Sequence, residues 1–456
     1  MTTFEYDVAI VGAGTAGCYA GATVANAGYD VVIVERKDES EAGHIACGDA
    51  LKGANKFPES IPKAQIEDSF TNTDVDHGQF EIPQEGAVLD IPVPGELAVI
   101  DRLDYGRRII ESAERAGAEF HYDTVVQDVL QDDTGRVFGL EATKKGDHRR
   151  YEAEVVLDGA GALSILQDKI DFEDTTFDTN VRFSQFSSAY REVIEVDEPV
   201  EWSDALVFKP TKRSAGYLWY FPRTPTEINV GLGFQMNEDP MQLVSDLRAD
   251  ISQRPELKNA TVKDKLGAAL PTRRPYDSAI APGYMAIGDS AAHVNPISGG
   301  GIAGAAYAGQ YAGEQVIEAI EDGDVGEDAL WRYNERVMDH YGGRYAALDI
   351  YNIFSTAYDL DDLLGLLAAL PAEKLSDALY SGSANVGLGL KLRVLIKSFG
   401  HWGTLKNLYD TKSLADRLLE HYDDYPSTPD SFSEWRRERD RIMDDIYAKT
   451  GADPKY

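Results

Sequence analysis

The stretch Tyr6-Asp7-Val8-Ala9-Ile10-Val11-Gly12-Ala13-Gly14-Thr15-Ala16-Gly17 decides how this chain folds. The apolar run Val8 to Val11 reads as a buried parallel strand that stops at glycine. Thr15–Ala27, rich in alanine and closed by Gly28, reads as a helix. Tyr29–Val34 reads as a second strand, so the chain opens with a βαβ unit. In that frame each glycine has its own task. Gly12 makes the tight turn, Gly14 lets the backbone approach a pyrophosphate, and Gly17 lets helix pack on strand. The phosphates would rest at the positive end of the helix. Glu35, at the end of the second strand, can accept hydrogen bonds from a ribose diol.

Three features further along favour FAD over NAD. Arg102, in Ile100-Asp101-Arg102-Leu103-Asp104, stands at a helix start where a guanidinium can meet a pyrophosphate. Asp158-Gly159-Ala160-Gly161 ends the strand Tyr151–Leu157. Gly288-Asp289, followed through Asn295-Pro296-Ile297 to Gly299-Gly300-Gly301, ends another strand and opens a helix. The last glycines fit a second nucleotide triad on paper, but they belong to this Gly-Asp element, so no separate NAD(P) domain is expected. Between these points 172–234 is strand-rich, 240–253 reads as helix, and from about Gly326 the pattern is helical. The expected fold is α/β with α+β character. A Rossmann-like FAD-binding domain with a parallel sheet is built from 1–60, 95–170 and 270–322. An antiparallel-sheet substrate domain takes 61–94 and 171–269, and 323–456 forms a C-terminal helical region.

Composition bounds the function. The chain has 456 residues, 43% of them hydrophobic and 10% aromatic, enough for a large core. Its 44 basic and 78 acidic residues give a net charge of −34, which argues against general nucleic-acid binding. The acids are spread along the chain, as on surfaces suited to a high-salt cytosol. Two cysteines exclude a disulfide framework and a four-cysteine iron–sulfur cluster, and no metal site is expected. The N-terminus lacks a basic, apolar leader, and no apolar stretch reaches ~18 residues, so a cytoplasmic protein is expected. The stretch 380–409 contains no acid and sets Lys391, Arg393, Lys397 and Lys406 among apolar residues. It could rest peripherally on a membrane surface, or pack as a helix hairpin on the FAD domain.

The order of glycine triad, Asp-Gly element and Gly-Asp element resembles the FAD-dependent hydroxylase-like superfamily. Within it, Tyr217-Leu218-Trp219-Tyr220-Phe221-Pro222 followed by Gly231-Leu232-Gly233 is similar to the Tyr-x-Trp-x-Phe-Pro…Gly-x-Gly pattern of geranylgeranyl reductases. So is Cys47-Gly48 within His44-Ile45-Ala46-Cys47-Gly48-Asp49. The resemblance implies that Asp289 bonds the flavin ribityl or ribose region. It also implies cofactor contacts from Thr15, Ala16, Arg36, Cys47, Gly48, Val126, Asp158, Gly159, Gly288, Pro296, Gly299, Gly300, Gly301 and Ile302. Ala292-His293 departs from the family, which more often has glycine and an apolar residue there. The implied activity is hydride transfer from reduced FAD to C=C bonds of geranylgeranyl chains in archaeal ether lipids. A menaquinone side-chain reductase is the nearest alternative, and an FAD-dependent monooxygenase or halogenase a more distant one.

The chemistry sets its own demands. Saturating an unactivated alkene needs a hydride and a proton, with the alkene ~3–3.5 Å from the hydride donor. An isoprenoid offers no charge near the reacting carbons, so aromatic surface must grip it. Tyr217, Trp219 and Phe221 share one face of a strand and are expected to line the lipid site, with Pro222, Gly231 and Gly233 shaping it; an ordinary sheet core is the alternative. Cys47 is the candidate proton donor, or else a small residue packed on the flavin. Cys18 is assigned to packing. His44 and His293 could relay protons or serve as local hydrogen-bonding residues. Without a second nucleotide domain, the electrons are expected from reduced ferredoxin or another small reductant.

Overall fold

The computed structural model describes residues 1–54, 56–83, 86–93, 95–211, 216–236, 239–357 and 402–456. Most of 380–409 lies outside the described residues, and its membrane contact with it. The strand Thr2–Val11 ends at the glycine turn as expected, with Val8 to Val11 buried. It runs parallel to Asp147–Asp158 on one side and Val31–Val34 on the other. Glu119–His121 continues the sheet beyond Val31–Val34, and Tyr284–Ala286 continues it beyond Asp147–Asp158, both parallel. The strand ends at Val11, Asp158 and Ala286 therefore stand side by side, and Gly12, Gly159 and Gly288 follow them. Ligands of such sheets bind outside the carboxyl ends of the strands.

Two helices begin at this edge, Thr15–Asn26 and Ile302–Asp322. They cross in close contact because the second carries glycine where they meet. A Cβ on Gly309 would sit 2.2 Å from the Ala16 carbonyl oxygen, and one on Gly313 would sit 2.8 Å from Thr23 Cβ.

The second sheet runs in the order Thr261–Pro271, Phe186–Glu195, Glu227–Gln235, Gly216–Pro222, Ala205–Pro210, His77–Ile82 and Ala87–Pro92. All its pairings are antiparallel except Ala205–Pro210 against His77–Ile82, which is parallel. Alternation along Gly216–Pro222 divides the two faces. Leu218 and Tyr220 pack in one core with Leu243 and Leu247 of the helix Pro240–Ile251. Trp219 and Phe221 pack in another, with Val75, Leu97, Val99 and Leu206.

The grouping expected for 61–94 and 171–269 shifts at its ends. Ile61 and Ile66 are buried in the first core, where Tyr19 Oη donates to the Ile61 carbonyl at 3.1 Å. Phe172 stacks on Phe177 there, 4.0 Å between centroids, beside Tyr284. The helices within 327–357 and 402–456 share this core through Trp331, Tyr333, Phe432 and Trp435. A buried ionic cluster ties them down. Asp277 receives Arg274, Arg439 and Tyr422, and the Lys455 ammonium meets Asp349 at 2.8 Å.

Candidate functional site

Gly12 takes φ +93°, and a Cβ there would lie 2.5 Å from the Gly159 carbonyl oxygen. A Cβ on Gly17 would lie 2.1 Å from the Gly12 carbonyl oxygen. Only glycine fits either place. Gly14 differs: it caps the first helix, and the nearest atom to its Cβ position is Ile45 Cδ1 at 3.9 Å. Among the described residues, no side chain caps that helix N-terminus, nor the one opened by Gly301. Two positive helix ends with unclaimed N–H groups at the same sheet edge make a candidate anion site.

Arg102 is buried and, among the described residues, has no carboxylate within ion-pair distance. Its guanidinium makes only long bonds, 3.3 Å to the Gly43 carbonyl and 3.5 Å to Thr15 Oγ1. A buried, unneutralised cation is costly unless an anion joins it. A pyrophosphate meets that requirement, so the residues present fit FAD. Asp289 complements it: its carboxyl accepts no hydrogen bond among the described residues, and burial pushes it up to about 6 against the opposing field of Arg102. Glu35 is held from both sides, accepting from Ala13 N–H and Lys37 N–H at 2.8 Å each. It braces the glycine turn, and a carboxylate retains further lone pairs for a diol. Arg36 is exposed at the same strand end. Val126 is buried in the hairpin opposite Ala142.

The Asp158 carboxylate is bound by the protein's own groups. It is fully buried, and its oxygens are taken by Ala160 N–H (3.0 Å), Ser290 Oγ (3.3 Å), Ser164 Oγ (2.6 Å) and Tyr284 Oη (2.6 Å). It locks the Asp-Gly turn to the Gly-Asp turn. Gly159 packs against the Val11 carbonyl, 3.0 Å from its Cβ position. Gly288, at φ +64°, lets its turn approach Ala16. Pro296 is buried, and the loop beyond it is shaped by Asn295, whose Oδ1 accepts from Ile297 and Ser298 N–H. Gly299 takes φ +68°, while Gly300 is exposed. Tyr217 Oη donates to the Ser298 carbonyl at 2.6 Å, joining the aromatic strand to the glycine loop.

Gly48, next to Cys47, packs on the same aromatic face. A Cβ on Gly48 would be 3.2 Å from Phe221 and 3.3 Å from Trp219 Nε1. Gly231 is where the indole of Trp219 crosses the neighbouring strand, since a Cβ there would be 2.1 Å from Cζ2. Gly233 has more room, with nothing closer than 3.7 Å. The Pro222 carbonyl accepts from Asn72 Nδ2 at 2.9 Å. Burial, with Asp49 adding to it, pushes the Cys47 thiol up to about 11, so it carries its proton at neutral pH. Cys18 is sealed in the first helix with its Sγ toward the Ala13 carbonyl. His44 pairs with Glu41 and Asp264, at 3.2 and 2.8 Å.

Four residues around Cys47 carry no label in the sequence reading: Asp49, Arg191, Arg223 and Asn229. Asn229 donates to the Cys47 carbonyl (2.8 Å) and to Asp49 Oδ2 (2.6 Å), and accepts from Trp219 Nε1 (2.9 Å). Asp49 stands within the Cys-Gly-Asp run. Asn229, two places before Gly231, is a polar residue in an apolar strand, and that is the one sequence signal it gives.

The sheet, its glycine turns and the unpaired Arg102 define an FAD-dependent oxidoreductase. Residues 5–340 match the FAD binding domain family, and the chain belongs to it. It is 27% identical to the digeranylgeranylglycerophospholipid reductase of Sulfolobus acidocaldarius, over 97% of this chain and 98% of that one. Among solved structures, a geranylgeranyl bacteriochlorophyll reductase-like protein of Thermoplasma acidophilum superposes with a TM-score of 0.69 at 22% identity, covering 90% of this chain and 100% of that one. The flavin-dependent brominase Bmp2 shares the fold at TM-score 0.60 and 17% identity, over 96% and 100% of the two chains.

Proposed function

We propose that this protein reduces the C=C bonds of geranylgeranyl chains in archaeal ether lipids. The observation that carries the reading is the packing of Gly48, next to the thiol of Cys47, against the Trp219–Phe221 aromatic face, which Tyr217 ties to the glycine loop at Ser298. When bound, FAD supplies the hydride. In this reading Gly12, Gly14, Gly17, Arg102 and the helix end at Gly301 hold its phosphates, and Asp289 takes a hydroxyl of its ribityl or ribose chain. Tyr217, Trp219 and Phe221 hold the isoprenoid by shape, and Cys47 delivers the proton to the second alkene carbon. The electrons come from reduced ferredoxin or another small reductant. The negative surface suits a high-salt cytosol, with 380–409 as the contact to the membrane that holds the substrate.

The test is anaerobic. The purified holoprotein is reduced with dithionite in high salt and given digeranylgeranylglycerol phosphate, and the lipid is extracted for mass spectrometry. Stepwise gains of two hydrogens are expected, together with flavin reoxidation. Unchanged lipid beside a folded, flavin-loaded protein would refute the assignment and make menaquinone the next substrate to try.

A further inference from the structure

We propose that Asp49 is a positioning residue that fixes the Cys47 sulfur and keeps its proton on it. This rests on the reading of Cys47 as proton donor, and it is tested separately from that reading below.

The backbone is the first observation. Asp49 takes φ +69°, a conformation most side chains avoid. The turn brings the Asp49 N–H to Cys47 Sγ at 3.2 Å. Such strain persists only where the surroundings impose it. Here they do: the Asp49 side chain is completely buried, and Oδ2 receives Arg223 Nε (2.7 Å), Arg223 Nη2 (2.7 Å) and Asn229 Nδ2 (2.6 Å). Asn229 also binds the Cys47 carbonyl and the Trp219 indole. One carboxylate therefore anchors the thiol loop to the aromatic face.

The charges are the second observation. The groups acting on the thiol come from three elements. Arg102 reaches it from the helix Arg102–Ala116, Arg191 from the strand Phe186–Glu195, and Asp49 from its own loop. Two guanidiniums favour a thiolate, which could not give a proton. Arg191 is partly neutralised by Asp264, at 2.5 Å. Asp49 is the acid that opposes them; Arg223 pairs with its Oδ2 and offsets part of its charge, while Oδ1 is buried with no hydrogen-bond partner among the described residues. The thiol is displaced upward, first by burial and then by the Asp49 charge, which outweighs the opposing pull of the Asp49 N–H on the sulfur.

The experiment is the pH dependence of Cys47 alkylation by iodoacetamide in the flavin-loaded protein, located by peptide mass. Asp49→Asn removes the charge and keeps a residue that tolerates positive φ. We expect its alkylation midpoint to fall by about one pH unit or more, so that at a fixed pH below both midpoints it reacts roughly tenfold faster than wild type. Should Asp49→Asn shed its flavin, Asp49→Gly carries the same prediction, since glycine accepts this backbone without strain. A variant that is less stable but has an unmoved midpoint would overturn the proposal and leave Asp49 a structural residue. The lipid assay is independent. A shifted midpoint with no lipid reduced by wild type keeps the role of Asp49 and removes the reductase reading, and an unmoved midpoint with active wild type does the reverse.

Discussion

Replacing His293 with phenylalanine should remove a built-in sensitivity to acid. His293 is 1% exposed, and neither ring nitrogen has a hydrogen-bond partner among the described residues. Its ring sits edge-on to Tyr341 at 5.7 Å and tilted against Tyr333 at 6.2 Å, a setting that a phenyl ring can share. Burial lowers the imidazole from 6.5 to about 3. The folded pKa lies below the unfolded one, so between them the unfolded chain binds more protons. The contribution of His293 is therefore intact above about pH 6.5 and is lost progressively as pH falls toward 3. At pH 5 the wild type has lost about 2 kcal/mol, from ~1.36 kcal/mol per unit over ~1.5 units. Asp289, raised to about 6, has the opposite sign, because an acid raised by folding stabilises the fold as pH falls. It is present in both proteins and cancels in the comparison. Denaturant unfolding at pH 8 and pH 5, followed by tryptophan fluorescence, measures the effect. His293→Phe should retain about 2 kcal/mol more of its pH 8 stability at pH 5 than wild type does. Parallel losses in the two proteins would show that the buried imidazole is not what titrates, and would refute the argument.

Arg102→Ala should weaken FAD binding roughly 30- to 100-fold, the equivalent of about 2–3 kcal/mol of charge-assisted hydrogen bonding, as measured by flavin fluorescence titration; unchanged affinity would remove it from the pyrophosphate site. Gly231→Ala places a methyl 2.1 Å from the Trp219 ring, so lipid turnover should fall at least ~tenfold with flavin absorbance retained, and full turnover would separate Trp219 from the substrate. Lys455→Met leaves Asp349 buried without its cation and should cost about 3 kcal/mol in unfolding experiments, whereas a neutral result would make that pair dispensable. With a net charge of −34, raising salt from ~0.1 M to ~1 M shortens the screening length from ~10 Å to ~3 Å and should raise the melting temperature; a flat or falling curve would count against a high-salt habitat.

What could be read before folding, and what could not, divides along the distance of the partners. The cofactor half rests on local spacing. Val8 to Val11, the triad Gly12, Gly14 and Gly17, and Glu35 lie within one βαβ unit, where strand and helix periods fix which atoms meet. Arg102 was legible because it follows a helix-capping aspartate, whose carboxylate accepts from Leu103 and Asp104 N–H. The protein partners of Asp158 were not legible, because its Asp-Gly pair is local while Tyr284 and Ser290 lie more than a hundred residues away. The segment after Ile61 has no periodicity to assign it, and a single hydroxyl from Tyr19 carries it into the first core. The proton half depends almost wholly on such remote partners. Cys47 could be singled out as a thiol, but a thiol alone does not specify an acid. In the proposed reading, what makes it one is a carboxylate two residues on, held by Arg223 and Asn229 some 180 residues away, and no spacing in the first fifty residues encodes them. The aromatic alternation of Tyr217, Trp219 and Phe221 is local again, yet only the fold shows that its apolar face meets Gly48. The glycine turn is thus a property of one supersecondary unit, which Arg102, Asp289 and the helix end at Gly301 join from further along the chain. The proposed acid exists only once the second sheet has closed on the Cys47 loop, so mutations at Asn229 or Arg223 should disturb protonation while leaving flavin binding intact.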